Sequence, residues 1–355
     1  MALEDLGYHE KLESYRQNNG LGGFAIGRVI AEHKERYIVN DGQQEFEAEI
    51  TGNMRFTAQE RSDYPAVGDW VAFSVFDDTK GLIHGILPRH SLLERKAVGK
   101  QGDKQIIAAN IDDALIVQAV DRDFNINRLE RYLTLCHTSR VNPVIVLNKI
   151  DLITSQELQE KLSRIGERVK DVPILAISNQ TGEGLHQLKT RIEKGKTYCL
   201  LGSSGVGKST LLNTLSGQEV MQTNAISESS DRGRHVTTHR ELHLLECGGI
   251  LIDNPGMREV GMADFEEGIA STFDHIVELS KSCRYKNCTH TNEPGCAVRN
   301  ALDTGELDDG SYENYLKMEK EKGHYEMTLV DKRKRDRAFG KMMKDFKKNY
   351  SRPKD

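Results

Sequence analysis

The chain has 355 residues, 37% apolar and 29% charged, with 10 Phe, 11 Tyr and one Trp, enough for two or three packed domains. No stretch reaches the ~18 unbroken apolar residues of a membrane span, and the acidic opening MALEDLGYHE lacks the basic and apolar regions of a secretory signal, so a cytoplasmic protein without a membrane partner is expected. The net charge of −5 is uneven: residues 331–355 hold 11 Lys/Arg against 4 Asp, net +7, leaving −12 on residues 1–330. A basic end on an acidic body suits a polyanionic partner, although a solvated helix face reads the same way.

Residues 1 to about 20 are polar and are expected to be loosely ordered. From Phe24 to about Leu87, short runs (FAIGRVIA, RYIVN, EFEAEI, DWVAF, GLIHGIL) alternate with turn residues. Five short strands with little helix point to a small barrel. An OB-type barrel that binds nucleic acid leads, and other small barrels share the pattern.

Beyond a basic connector (Arg89, Arg95, Lys96, Lys100, Lys104) the runs become apolar throughout: ALIVQAV, VNPVIVLN, VPILAIS, KTYCLLG and GILIDNPG. Helical patterns over 126–138 and 156–169 separate the first of them. Strands apolar on both faces and spaced by helices mean a mostly parallel sheet covered on each side. The expected domains are a barrel over 1–88, an α/β domain over 89–270, and a mainly helical region with a basic tail over 271–355.

Gly202-Ser203-Ser204-Gly205-Val206-Gly207-Lys208-Ser209 follows the strand TYCLL and precedes the helical TLLNTL, the context a phosphate-binding loop requires. Its glycines let successive N–H groups, through Thr210, turn toward an anion at a helix start. Lys208 is expected on the β- and γ-phosphates and Ser209 on Mg²⁺. Asn148-Lys149-Ile150-Asp151 ends the buried strand PVIVL and has the NKxD pattern. The Asp151 carboxylate accepts from guanine N1–H and the exocyclic amine, a donor pair adenine lacks. Asn148 would brace neighbouring loops, and the Lys149 stem would cover the base. Ser178 and the amides of residues 179–182 offer a contact for the guanine carbonyl, although an ordinary strand-to-helix turn has the same form.

The γ-phosphate and magnesium sensors come after the phosphate loop. Asp253-Asn254-Pro255-Gly256 ends GILI; Asp253 would hold a Mg²⁺-bound water and the Gly256 amide would meet the γ-phosphate. The polar loop 217–240 contains DRGRHVTTHR, where Thr238 or Thr237 would complete the Mg²⁺ shell.

Cys136, Cys199 and Cys247 sit singly in apolar surroundings and read as small core residues. Cys283, Cys288, His290 and Cys296 cluster in CRYKNCTHTNEPGC and supply four ligands for a closed tetrahedral site holding one structural Zn²⁺. Arg284, Tyr285, Lys286 and Arg299 give that knuckle a basic, partly aromatic surface suited to RNA. In the tail, Phe339, Met342, Met343 and Phe346 recur at helical intervals among Lys and Arg.

Base motif, serine loop, phosphate loop, switch and DxxG therefore run in an order rotated from that of an ordinary small GTPase. With the barrel before and the Cys/His cluster after, the chain resembles the circularly permuted GTPases of small-ribosomal-subunit biogenesis, the RsgA (YjeQ/YloQ) family. QIIAANIDDALIV, NKID, GSSGVGKSTLLN, GRHVTTHR and DNPGMRE carry the resemblance, which covers almost the whole chain. It implies an OB domain, a permuted GTPase domain, a zinc domain, and GTP hydrolysis to GDP stimulated by the 30S subunit in its late maturation. The implied partners are the 30S subunit and its 16S rRNA, with other 30S assembly factors as further candidates, and the protein is expected to be a monomer.

One departure from the ordinary GTPase pattern is Met257 after DxxG, where a Gln would orient the attacking water; a thioether cannot do so. His235 is the candidate for that task, alongside Lys208 and Thr238 in the catalytic set, and a potassium ion or an rRNA group is an alternative. Two other function classes remain. One is a nucleotide-gated rRNA-binding module with incidental hydrolysis; the other is a P-loop kinase, against which the 148–151 motif argues.

Overall fold

The computed structural model describes residues 2–33, 36–96, 104–121, 124–217, 241–253 and 266–326. These fall into two units, Met1–Val277 and Glu278–Asp355.

The first unit opens with a 3-10 turn, Leu3–Leu6, and helix α1, Glu10–Asn18. The loose order expected here is not what the structure has. Leu6 and Leu12 are buried against Trp70, Ile26 and Leu87, and few apolar side chains suffice because the barrel wall offers them a ready hydrophobic face.

Strands β1 (Ala25–His33), β2 (Arg36–Asn40) and β3 (Glu45–Ile50), helix α2 (Gly52–Thr57), and strands β4 (Trp70–Asp77) and β5 (Lys80–Ile86) follow. Period-two patterning is clearest in β3, where Phe46, Ala48 and Ile50 point into the core and Glu45, Glu47 and Glu49 point out. The strands join in the order β1-β2-β3-β5-β4, and β4 pairs back onto β1 to close the barrel. The β3–β5 pair is parallel and the others antiparallel. This closed five-stranded barrel is of the OB type, filled by Val29, Tyr37, Val39, Phe46, Val71, Phe73 and Ile83.

The segment expected as a basic connector forms a hairpin of β6 (Leu92–Lys96) and β7 (Lys104–Ala109). Arg89 is no surface cation: its guanidinium grips buried Asp69 with two bonds, 2.8 and 2.6 Å.

The α/β layer runs β8 (Asp113–Ala119), α3 (Ile126–Thr138), β9 (Asn142–Asn148), α4 (Ser155–Arg168), β10 (Ile174–Ala176), α5 (Leu185–Arg191), β11 (Thr197–Leu201), α6 (Lys208–Ser216), β12 (Glu241–Leu244), β13 (Ile250–Asp253) and α7 (Glu266–Thr272). Spatial order is β10-β9-β8-β11-β13-β12, parallel except for β12. Strand β12, only partly buried and absent from the sequence expectations, also meets β1 at Ala31↔Glu241. Barrel and α/β layer thus share one 11-stranded sheet. Cys136 and Cys199 are buried as expected, whereas Cys247 is exposed in the turn between β12 and β13, a reversal that leaves its thiol at the surface.

Arg28 fastens this junction. Buried in β1, it donates to the carbonyls of Leu6 (2.5 Å), Gly68 (3.2 Å) and Asn110 (3.2 Å) and to Thr197 Oγ1 (2.8 Å), and its guanidinium lies 5.6 Å from the Trp70 ring centre. Burial lowers its pKa to about 10, partly offset by Asp112 and Asp69, so it stays charged at neutral pH. Four chain segments therefore meet on this one cation, two of them at the amino ends of β8 and β11.

The second unit takes over within α8 (Asp274–Ser280) and contains α9 (Ala297–Asp303) and α10 (Asp309–Glu326). Among the described residues no helix is long and apolar enough to cross a membrane.

Arg28→Ala strips four oxygens of a donor; the Gly68 carbonyl keeps Asn110 Nδ2 (3.1 Å), while the others lose a partner in a buried site. The expected result is a loss of about 3 kcal/mol of unfolding free energy in urea, read by circular dichroism. A variant as stable as the parent contradicts this account of the junction.

Candidate functional site

The expected nucleotide-site residues that are described sit at or just beyond the carboxyl ends of β9, β10, β11 and β13. In a parallel sheet this edge collects the strand-to-helix loops, so it is where a ligand finds converging backbone and side-chain groups. Asn148 ends β9 and is buried. Its Nδ2 donates to the Val206 carbonyl at 2.8 Å, and its Oδ1 accepts from the amides of Lys149 (2.8 Å) and Asn179 (3.2 Å). One side chain thereby ties the 148–151 turn to both the 178–182 loop and the phosphate loop.

Gly202, Gly205 and Gly207 all take positive φ, 141°, 81° and 99°. At Gly207 a Cβ would stand 2.3 Å from Asn148 Nδ2, so only glycine lets the loop close on that brace. Lys208 opens α6, as the loop-helix pattern requires; its Nζ donates to the carbonyls of Gly202 (2.7 Å) and Ser203 (2.5 Å). The ammonium is held over the loop by neutral oxygens that a phosphate would outcompete on charge. Ser204, Ser209 and Thr210 occupy the same turn and the first turn of α6.

On the base side, Ser178 is buried and its Oγ donates to Asp151 Oδ1 at 2.5 Å while accepting from the amides of Gln180 and Thr181. The exposed carboxylate is therefore aimed by a serine that is itself aimed by the loop backbone. Lys149 is left-handed, φ 65°, and its Nζ lies 3.0 Å from Asp121 Oδ2. Asp253 ends β13. Gly256, Met257, His235, Thr237 and Thr238 lie outside the described residues, as do Phe339, Met342, Met343 and Phe346.

In the second unit, Cys283, Cys288, His290 and Cys296 bring their ligand atoms within 4.8 Å of one another. The Cys283 and Cys296 sulfurs lie 3.6 and 3.5 Å from His290 Nδ1 and 3.9 Å from each other. A tetrahedral zinc site has S···N and S···S edges of about 3.6 and 3.8 Å, given its bond lengths, so the cluster fits that metal. Cys296 caps α9 and accepts from the Arg299 amide at 3.4 Å. Burial raises the Cys283 thiol pKa, but the amides of Val298 and Ala297, together with Cys296 and Cys288, lower it, and the net shift is down. His290 is held left-handed at φ 61°, with its carbonyl taking the Tyr312 hydroxyl at 2.6 Å.

Sequence reasoning missed three supports. Asn179 Nδ2 donates to the Gly207 carbonyl at 3.0 Å, a second tie to the phosphate loop, and its place just after Ser178 was the available signal. Asp121 pairs with Lys149 across 28 positions, which no local pattern reveals. Glu293 collects Thr289 and the amides of 289, 291 and 292. The Thr289 bonds lead in holding its carboxyl down to about 2.

Comparison with known proteins decides the family. Residues 86–263 match the model of the RsgA GTPase family. Across 344 residues the chain is 39% identical to the small ribosomal subunit biogenesis GTPase RsgA 1 of Bacteroides thetaiotaomicron, covering 96% of each. The chain belongs to the RsgA GTPase family. An RsgA 2 of Lactiplantibacillus plantarum, also named a small ribosomal subunit biogenesis GTPase, is 40% identical over 93% of this chain and 94% of its own length. Two solved structures of this type align at TM-score 0.60. YjeQ from Thermotoga maritima is 27% identical over 83% of this chain and 96% of its own. YloQ, described as a circularly permuted GTPase, is 25% identical over 88% of this chain and 99% of its own. The RsgA architecture of barrel, permuted GTPase domain and Cys/His cluster is the one found here.

Asn148→Ala removes the brace shared by three loops. The expected outcome is a GDP dissociation constant roughly 30-fold higher, about 2 kcal/mol, measured with a fluorescent GDP analogue. An unchanged constant would mean that the loops hold their places without it.

Proposed function

We propose that this chain is a GTP phosphohydrolase of small-ribosomal-subunit biogenesis that binds the 30S subunit and turns over faster on it. The RsgA family supports the class of activity. The observation that carries the site assignment is Asn148, which ties the 148–151 turn and the 178–182 loop to the loop that precedes Lys208. In this reading the guanine N1–H and amine take over the Asp151 carboxylate from Ser178. Lys208 leaves its loop carbonyls for the β- and γ-phosphates, and the amides of 203–210 cradle them. Ser209 and Asp253, with Thr238 or Thr237, would hold Mg²⁺, which would supply charge neutralisation to the phosphates. The Gly256 amide meets the γ-phosphate, and His235 positions water where Met257 cannot.

The Cys283, Cys288, His290 and Cys296 set fits one structural Zn²⁺, and its four ligands leave no position open for chemistry. Arg284, Tyr285 and Lys286 are exposed beside it, with Arg284 lying over the Tyr285 ring at 5.6 Å. A basic, aromatic knuckle of this kind suits 16S rRNA. The protein acts as a cytoplasmic monomer, with other 30S assembly factors as further partners.

Met257 in place of Gln favours a second reading, a nucleotide-gated rRNA-binding module in which hydrolysis is incidental. Turnover of GTP against 30S concentration separates the two. Stimulation by 30S but not by 50S subunits is expected; a flat response with retained 30S binding supports the module and rejects the enzyme as proposed. Metal analysis of the purified chain should give one zinc per molecule, and Cys296→Ser should lose it. Full retention in that variant contradicts the four-ligand assignment.

A further inference from the structure

Arg128 and Tyr132 stand one turn apart on α3 and meet the phosphate loop at the same side chain. Arg128 Nη1 donates to Ser203 Oγ at 2.8 Å, and the buried Tyr132 phenol also hydrogen-bonds to Ser203. Burial raises the phenol's pKa above its ordinary value, which keeps it a neutral partner. Ser203 is in turn the residue whose carbonyl accepts Lys208 Nζ at 2.5 Å. A chain of contacts therefore runs from α3 through one serine to the phosphate-binding ammonium.

The helix is a fixed base for this reach. Buried Glu130 takes Arg168 of α4 with two bonds, 3.0 and 2.6 Å. At the other end, Thr134 Oγ1 and His137 Nδ1 each lie 3.0 Å from Thr272 Oγ1 of α7. The two helices touch closely at Gly268, where a Cβ would stand 2.1 Å from Thr138 Oγ1 and 2.4 Å from the Thr134 carbonyl.

We propose that Arg128 and Tyr132 are positioning residues for nucleotide binding, which order the phosphate loop before the ligand arrives by clamping the Ser203 hydroxyl from α3. Neither lies in a phosphate- or base-binding motif. Ordering a loop residue costs about 1–2 kcal/mol. A clamp that meets this cost in the free protein strengthens GDP and GTP binding alike, because it acts on the loop and not on the γ-phosphate.

This inference rests on reading 202–209 as the nucleotide site, and the test keeps the two apart. Dissociation constants for fluorescent GDP and a non-hydrolysable GTP analogue are measured on the full chain for Arg128→Ala, Tyr132→Phe, Ser203→Ala and the Arg128→Ala/Ser203→Ala pair, with Lys208→Ala alongside. Arg128→Ala is expected to weaken both nucleotides equally, roughly tenfold. It should leave the melting temperature of the nucleotide-free protein unchanged and have no further effect once Ser203 is Ala. Additive losses in the double variant, or a loss matched by a lower melting temperature, overturn the proposal. If Arg128→Ala does not fold, Arg128→Gln and Tyr132→Phe are judged by the same criteria. Parent-like binding by Lys208→Ala sinks the site reading itself. Loss there with parent-like binding in Arg128→Ala sinks only the clamp.

Discussion

The active cleft depends on one side-chain amide. Asn148 donates to the phosphate loop and accepts from the loop of Ser178 and Asn179, so the 148–151 turn, the 178–182 loop and the phosphate loop are set against a common reference. Gly207 is the steric counterpart, since any side chain there would strike that amide. The bond is buried, so losing either partner leaves a polar group without water to replace it.

This tie explains why chain order is immaterial to the site. The parallel strands β9, β10, β8 and β11 present their carboxyl ends at one edge whatever their sequence in the chain, and each delivers its loop there. Rotating the order moves the termini and leaves the cleft. It also puts the barrel directly before the sheet, joined by β1 pairing with β12 and by Arg28 gripping the amino ends of β8 and β11. The barrel is thus joined to the sheet both through β12 and at the amino ends of β8 and β11.

Much of this was legible in the chain itself. Alternation in EFEAEI and unbroken apolar runs such as ALIVQAV mark strands because burial on one or both faces leaves those two patterns. Motifs that need particular backbone shapes or four ligands carry their own spacing. What escaped depends on distant partners. Arg28 sits in a strand-like run where a charge suggests an outward face, yet its acceptors lie up to 169 positions away. Arg89 reads only as part of a basic connector, since its partner Asp69 lies 20 positions back. The N-terminal leucines are too sparse to announce a packed helix until Trp70 supplies the surface. Residues 218–240 and 254–265, which include His235, Gly256 and the switch threonines, lie outside the described structure, so their roles rest on the sequence.

The central claim, one cleft in which position 151 reads the purine while Lys208 meets the phosphates, is tested most directly by exchanging the base. Asp151→Asn offers a donor where the parent offers only acceptors, and xanthine carries an oxygen where guanine has its amine. Affinities for GDP and xanthosine diphosphate, measured for parent and variant, are predicted to reverse in order. An Asn variant that keeps the parent's preference for GDP would contradict the account.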